Sequence, residues 1–136
     1  MPDMTQNNHK PLSWFRLWFS MGLGLAGGVI YLSLTPNPVQ TPGIAFGDKI
    51  GHFVAYFSLV FWFSQLYFNR HHGWLLLIFI LMGTLLEFAQ AQTGYRTFQY
   101  ADMLANNSGA LCGWLLARTR CDQLLLYIDS RLSRSL

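Results

Sequence analysis

The chain reads as an all-α, polytopic membrane protein: four transmembrane helices in an up-down bundle, followed by an amphipathic helix at the membrane surface. Three observations carry this expectation. Hydrophobic residues make up 52% of the 136 residues and charged residues only 11%, against roughly 25% charged in soluble domains, so a soluble fold could not cover its surface. The apolar residues come in blocks, Leu17 to Leu34, Ile50 to Phe68, Trp74 to Ala91 and, more weakly, Met103 to Ala117. The first three approach the ~20 residues needed to cross ~30 Å of hydrocarbon. The basic residues, finally, flank the blocks asymmetrically. Lys10, Arg16, Arg70, Arg118, Arg120, Arg131 and Arg134 lie on one side, and only Lys49 and Arg96 on the other. By the positive-inside rule both termini are cytoplasmic. Residues 1–13 are then a cytoplasmic tail, 14–118 the transmembrane domain and 119–136 a cytoplasmic amphipathic tail.

The net charge of +3 carries no nucleic-acid reading, because the cations flank spans instead of covering one face of a soluble fold. The expected partner is the lipid bilayer. Cys112 and Cys121 are nine residues apart, roughly 13 Å along a helix, too far for a disulfide. Neither has ligand-type neighbours, and no metal or cofactor is expected.

Met1 to Pro11 is polar and punctuated by prolines, and reads as a disordered tail. Leu17 to Leu34 is too long for a signal h-region and lacks a small-residue cleavage site, so it reads as a retained helix. Its Ser20, Gly24 and Gly28 form a small-xxx-small ladder for close helix packing. The loop TPNPVQTPGIAFG is an irregular outer connection. Asp48 opens the second helix, where a carboxylate meets free amides and the positive end of the helix dipole. His52 and Tyr56 follow at one-turn spacing on the same face. NRHHG is a tight turn in which His71 and His72 are expected to be solvated.

Glu87, on the third helix, lies in the outer third of the hydrocarbon, where an ionised carboxylate costs on the order of 2.5–3.5 kcal/mol and so calls for neutrality, a partner or a wet cavity. Gln90 shares its face. Counting back ~18–20 residues from Arg118 puts Asp102 and Asn106 inside the outer half of the fourth span. Gly109 and Gly113 continue that helix as a second small-residue face, expected to pack against the first helix. Cys121 to Leu136 places Leu124, Ile128, Leu132 and Leu136 at helical spacing and is expected on the inner surface. An up-down bundle therefore brings Asp48, His52, Tyr56, Glu87, Gln90, Arg96, Asp102 and Asn106 to one level near the outer face, with Glu87, Arg96 and Asp102 expected in one hydrogen-bonded network.

The ordered set D-K-x-x-H-x-x-x-Y (Asp48, Lys49, His52, Tyr56), E-x-x-Q (Glu87, Gln90), Arg96, D-x-x-x-N (Asp102, Asn106) and G-x-x-x-G (Gly109, Gly113) resembles the VanZ-like family of bacterial membrane proteins over roughly Gly28 to Arg118. The resemblance implies a multi-pass protein of the bacterial cytoplasmic (inner) membrane and a cell-envelope context. The family's namesake confers resistance to the glycopeptide teicoplanin, a property that does not transfer to another member by resemblance.

Three classes of function remain open. The outer site could bind a lipid-linked or amphipathic envelope molecule, with Arg96 holding an anionic group. It could be an intramembrane enzyme, with Glu87 or Asp102 as base and His52 as acid or metal ligand, although neither H-E-x-x-H nor G-x-S-x-G is present. Or Glu87, Arg96 and Asp102 could be an ion-paired clamp that holds the bundle together.

Overall fold

The computed structural model describes residues 8–36 and 46–135; most of the proline-rich outer loop and the first seven residues of the tail lie outside them. The described chain forms five α-helices: α1 Phe15–Leu34, α2 Gly47–Leu66, α3 His72–Gln92, α4 Tyr100–Ala117 and α5 Leu124–Ser135. Short 3-10 turns, Asn69–His71 and Arg120–Gln123, lead into α3 and α5. The chain is thus all-α, and each apolar block became one helix within a few residues of its expected ends. Gly94, at φ 78°, takes the left-handed position just beyond α3 that a side chain would resist.

Helix α2 runs through the centre of the bundle and packs against α1, α3, α4 and α5. Tyr56, Leu59, Val60 and Leu66 on it are fully buried, with Phe63, Phe79 of α3 and Ala110 of α4 around them. The outside is apolar: Leu17 and Tyr31 on α1, Trp74, Leu81 and Leu85 on α3, and Leu104 and Leu115 on α4 are all exposed. A surface of this kind is stable only against hydrocarbon or a partner. Two helical segments, Phe15–Leu34 and Asn69–Gln92, are long and apolar enough to cross a membrane. Helices α2 and α4 match them in length, but carry their polar residues where they face one another.

The close packing differs from the expectation. The nearest neighbour of α4 is α2, not α1. A Cβ on Gly109 would lie 2.1 Å from the Phe53 carbonyl oxygen, and one on Gly113 2.5 Å from that of Phe57, so these two glycines let the α2 and α4 backbones touch. Gly24 and Gly28 have no neighbour within 4 Å of a Cβ position and face outward. The small residue at the meeting of α1 with α2 is instead Gly22, whose Cβ would sit 2.9 Å from the rings of Trp62 and Phe63. The register is set by these two rings: Trp62 donates Nε1–H to the Trp18 carbonyl (3.1 Å), which rotates the Gly24 and Gly28 face away.

The tail is also corrected. From His9 onward the N-terminal segment is bound to the bundle: Lys10 N–H donates to the Leu66 carbonyl (2.8 Å), and Lys10 and Leu12 are buried. Asp129 of α5 accepts from Ser13 N–H (2.6 Å), Trp14 N–H (3.0 Å) and Trp18 Nε1–H (2.8 Å). The segment thus lies between α2 and the C-terminal helix. His72 is likewise not a solvated loop residue but the buried first residue of α3.

Candidate site at the end of the bundle away from the termini

At the end where α2 and α4 begin and α3 finishes, polar side chains from three helices converge. Lys49, in the first turn of α2, forms ion pairs with Asp48 (2.6 Å) and with the buried Asp102 of α4. It also donates to Gln99 Oε1 (2.7 Å). One turn further, His52 Nδ1 lies 2.9 Å from Asn106 Oδ1, and Nε2 lies 3.7 Å from Asp102 Oδ2, an ion pair when the ring is protonated. The i, i+4 spacing of Asp102 and Asn106 matches the i, i+3 spacing of Lys49 and His52, so α2 and α4 meet in two polar layers directly beyond the Gly109 contact.

Glu87 is 1% exposed and accepts the Gln99 backbone N–H at Oε1 (2.7 Å), which ties the end of α3 to the start of α4. Gln90 donates to the Ser33 carbonyl (2.8 Å) and Tyr95 to the Leu34 carbonyl (2.5 Å), so α3 and the following loop grip the last turn of α1. Tyr56 stands against Gly83 of α3, where an added Cβ would meet its ring at 3.0 Å. The Tyr56 hydroxyl and Glu87 Oε2 are buried with no partner among the described residues.

Between α1 and α2 a cavity of about 180 Å³ opens beside this network, lined by Val29, Leu32 and Ser33 of α1, by Asp48, Gly51, His52, Ala55 and Tyr56 of α2, and by Arg96. The eight expected site residues therefore share one end of the molecule but divide in two. Asp48, His52, Tyr56 and Arg96 line the cavity, whereas Glu87, Gln90, Asp102 and Asn106 stand behind it and bind other parts of the protein. Arg96 does not join the expected network with Glu87 and Asp102; Lys49 pairs with Asp102 in its place. Lys49 looks like a topology-setting charge when read from the sequence, and its placement one residue after Asp48 in a helix facing Asp102 was the available signal. Among the described residues no three metal-ligating side chains converge.

An all-helical bundle with an apolar exterior, two helices of spanning length and a polar inter-helical site at one end has the features of a membrane protein. A family model described as VanZ/LLP1 matches residues 4–125, and the chain belongs to that family. No curated protein and no solved structure matches it.

Proposed function

We propose that the chain is a four-pass protein of the bacterial cytoplasmic membrane, with both termini cytoplasmic, whose outward cleft between α1 and α2 binds a lipid-linked or amphipathic envelope molecule. Arg96 carries this reading: it lines the cleft and makes no ion pair with any described residue, and its guanidinium has the geometry to take a phosphate or carboxylate. Val29, Leu32 and Ala55 on the same wall suit a hydrocarbon chain, and a cleft between two helices is open to the bilayer from which such a ligand would come. The seven-to-two distribution of cations supports the orientation.

The enzymatic reading has less support here, because His52 Nδ1 is 2.9 Å from Asn106 and its Nε2 lies toward Asp102, both on α4. Gly51 offers the direct test, since it lines the cleft and a Cβ there would touch nothing. Gly51→Leu should fill the cleft without strain and lower the amount of anionic lipid that copurifies with the protein, while the melting temperature stays near that of the parent. Unchanged lipid content in a folded Gly51→Leu protein would remove this reading. Reporter fusions after Tyr95 and after Ser135 test the topology, and equal behaviour of the two would overturn it.

A further inference from the structure

We propose that a second cavity, at the opposite end of the bundle between the start of α3 and the end of α4, binds the phosphodiester headgroup of a phospholipid from the leaflet on that side. The cavity measures about 380 Å³ and is lined by Asn69, His72, Gly73, Trp114 and Arg118. Arg118 is exposed, lies 4.7 Å over the Trp114 ring and makes no ion pair with any described residue. A guanidinium over an aromatic ring still has N–H groups to offer an anion, and its fork matches two phosphate oxygens. Helix α3 starts at His72 without a side-chain cap, so the positive end of its dipole lies at this end as well.

His72 supplies the independent observation. It is 1% exposed, and its Nε2 sits 3.0 Å from the Ser64 carbonyl and 3.1 Å from that of Tyr67. Two carbonyls cannot donate, so Nε2 carries the hydrogen and Nδ1 of the neutral ring is a bare acceptor. That Nδ1 is buried and has no partner among the described residues, and buried acceptors of this kind are rare unless something outside the chain donates to them. A headgroup that carries an ammonium or hydroxyl beside its phosphate provides both halves: the phosphate for Arg118 and a hydrogen for Nδ1. Trp74 and Leu115, each exposed and following a lining residue in the chain (Gly73 and Trp114), would give its acyl chains an apolar path.

The test uses the purified full-length protein in detergent, titrated separately with phosphatidylethanolamine, phosphatidylglycerol, phosphatidylcholine and inorganic phosphate, with bound species counted by native mass spectrometry. The parent should retain one phosphatidylethanolamine or phosphatidylglycerol more than Arg118→Gln does, whatever lipid the cleft beside Arg96 holds in both. Arg118→Gln should weaken that binding about tenfold, equivalent to ~1.4 kcal/mol, while Arg134→Gln leaves it unchanged. Phosphatidylcholine, whose quaternary nitrogen has no hydrogen to donate, should bind more weakly than phosphatidylethanolamine. Equal retention by Arg118→Gln and parent, equal loss in Arg134→Gln, or uptake of inorganic phosphate in place of lipid would each overturn the proposal. Equal binding of the two zwitterionic lipids would overturn the part assigned to His72.

Discussion

The two ends of the bundle solve the same problem with the same chemistry and then diverge. At each, a lysine from an earlier segment reaches an aspartate on or just after α4: Lys49 meets Asp102 at one end, and Lys10 meets Asp122 (3.2 Å) at the other. At the terminal end the clasp also ties the N-terminal segment and the C-terminal helix to the bundle. Lys10 also donates to the carbonyls of Ser64 and Asp122, Gln65 donates to the Cys121 carbonyl (2.9 Å) and accepts from Leu125 N–H (3.1 Å), and Asp129 ties down Ser13, Trp14 and Trp18. At the other end the clasp leaves a cleft. Buried ion pairs thus hold the fold together at both ends, and each end leaves one cation without an ionic partner among the described residues beside a cavity, Arg96 at one and Arg118 at the other.

The largest effect should come from the contact that the Lys49–Asp102 clasp depends on. Gly109→Val puts a branched side chain where the Phe53 carbonyl already lies 2.1 Å from a Cβ position. It should force α2 and α4 apart at a cost of about 3 kcal/mol or more, read as loss of folded protein after detergent extraction. Gly28→Val, in open space, should extract like the parent. If the two behave alike, α2 and α4 do not cross at Gly109.

Next in size is the ion pair itself. Lys49→Met strands Asp102, whose side chain is only 3% exposed; among the described residues it leaves His52, 3.7 Å away, as a counter-charge only when the ring is protonated. Breaking such a pair costs about 3–5 kcal/mol, whereas replacing both partners by apolar residues of similar volume recovers much of it. Thermal unfolding should therefore place Lys49→Met/Asp102→Leu well above Lys49→Met. A double mutant no more stable than the single would mean that the pair does more than clamp.

The terminal clasp should be weaker and pH-dependent. Burial tends to raise the carboxyl pKa of Asp129, but the hydrogen bonds from Trp18, Ser13 and Trp14 outweigh it and hold the group below the ordinary value of 3.8. The folded-state pKa is depressed, so the stability it adds is fully present above that value and is lost as pH falls through the folded pKa. Asp129→Asn should remove this acid dependence, destabilise by about 1–3 kcal/mol, and speed amide exchange in residues 9–18 before the rest of the bundle opens. Uniform exchange throughout would mean that the terminal segment is no separate unit.

These contrasts also show what a sequence can carry. The helices were legible because hydropathy is local: Leu17 to Leu34 and Trp74 to Ala91 correspond to α1 and α3 to within two residues at each end. The level shared by Asp48, His52, Glu87, Asp102 and Asn106 followed from counting residues across a bilayer. The partner of each charge did not, because the choice of Lys49 over Arg96 for Asp102 depends on helix rotation. Nor did the terminal clasp, since Lys10 and Asp122 are 112 residues apart and single charges in polar segments leave no periodic trace. Gly24 and Gly28 misled for a related reason: a small-residue ladder shows that close packing is possible, not which neighbour the aromatic contacts of Trp62 will select.

The smallest expected effect on stability decides between site and scaffold. His52→Ala and Asn106→Ala should destabilise by about 1–3 kcal/mol each, because the structure bonds the two side chains to each other across α2 and α4. Loss of a ligand in either mutant would therefore be ambiguous. Arg96 is free of that ambiguity. It bonds to no described residue and lines the cleft, so Arg96→Gln should shift the unfolding free energy by no more than about 0.5 kcal/mol. Its guanidinium is the charge that would hold an anionic headgroup, and removing it should lower retention of anionic lipid or of an envelope precursor about tenfold or more, the loss of a charge-assisted contact worth at least ~1.4 kcal/mol. Arg96→Lys should recover part of the retention, since a point charge remains without the bidentate fork. Thermal unfolding and bound-lipid analysis on the same preparations separate the outcomes. Unaltered stability with lost retention assigns Arg96 to a ligand, whereas unaltered stability with unaltered retention leaves the cleft as space between helices and the outer end as a clamp alone.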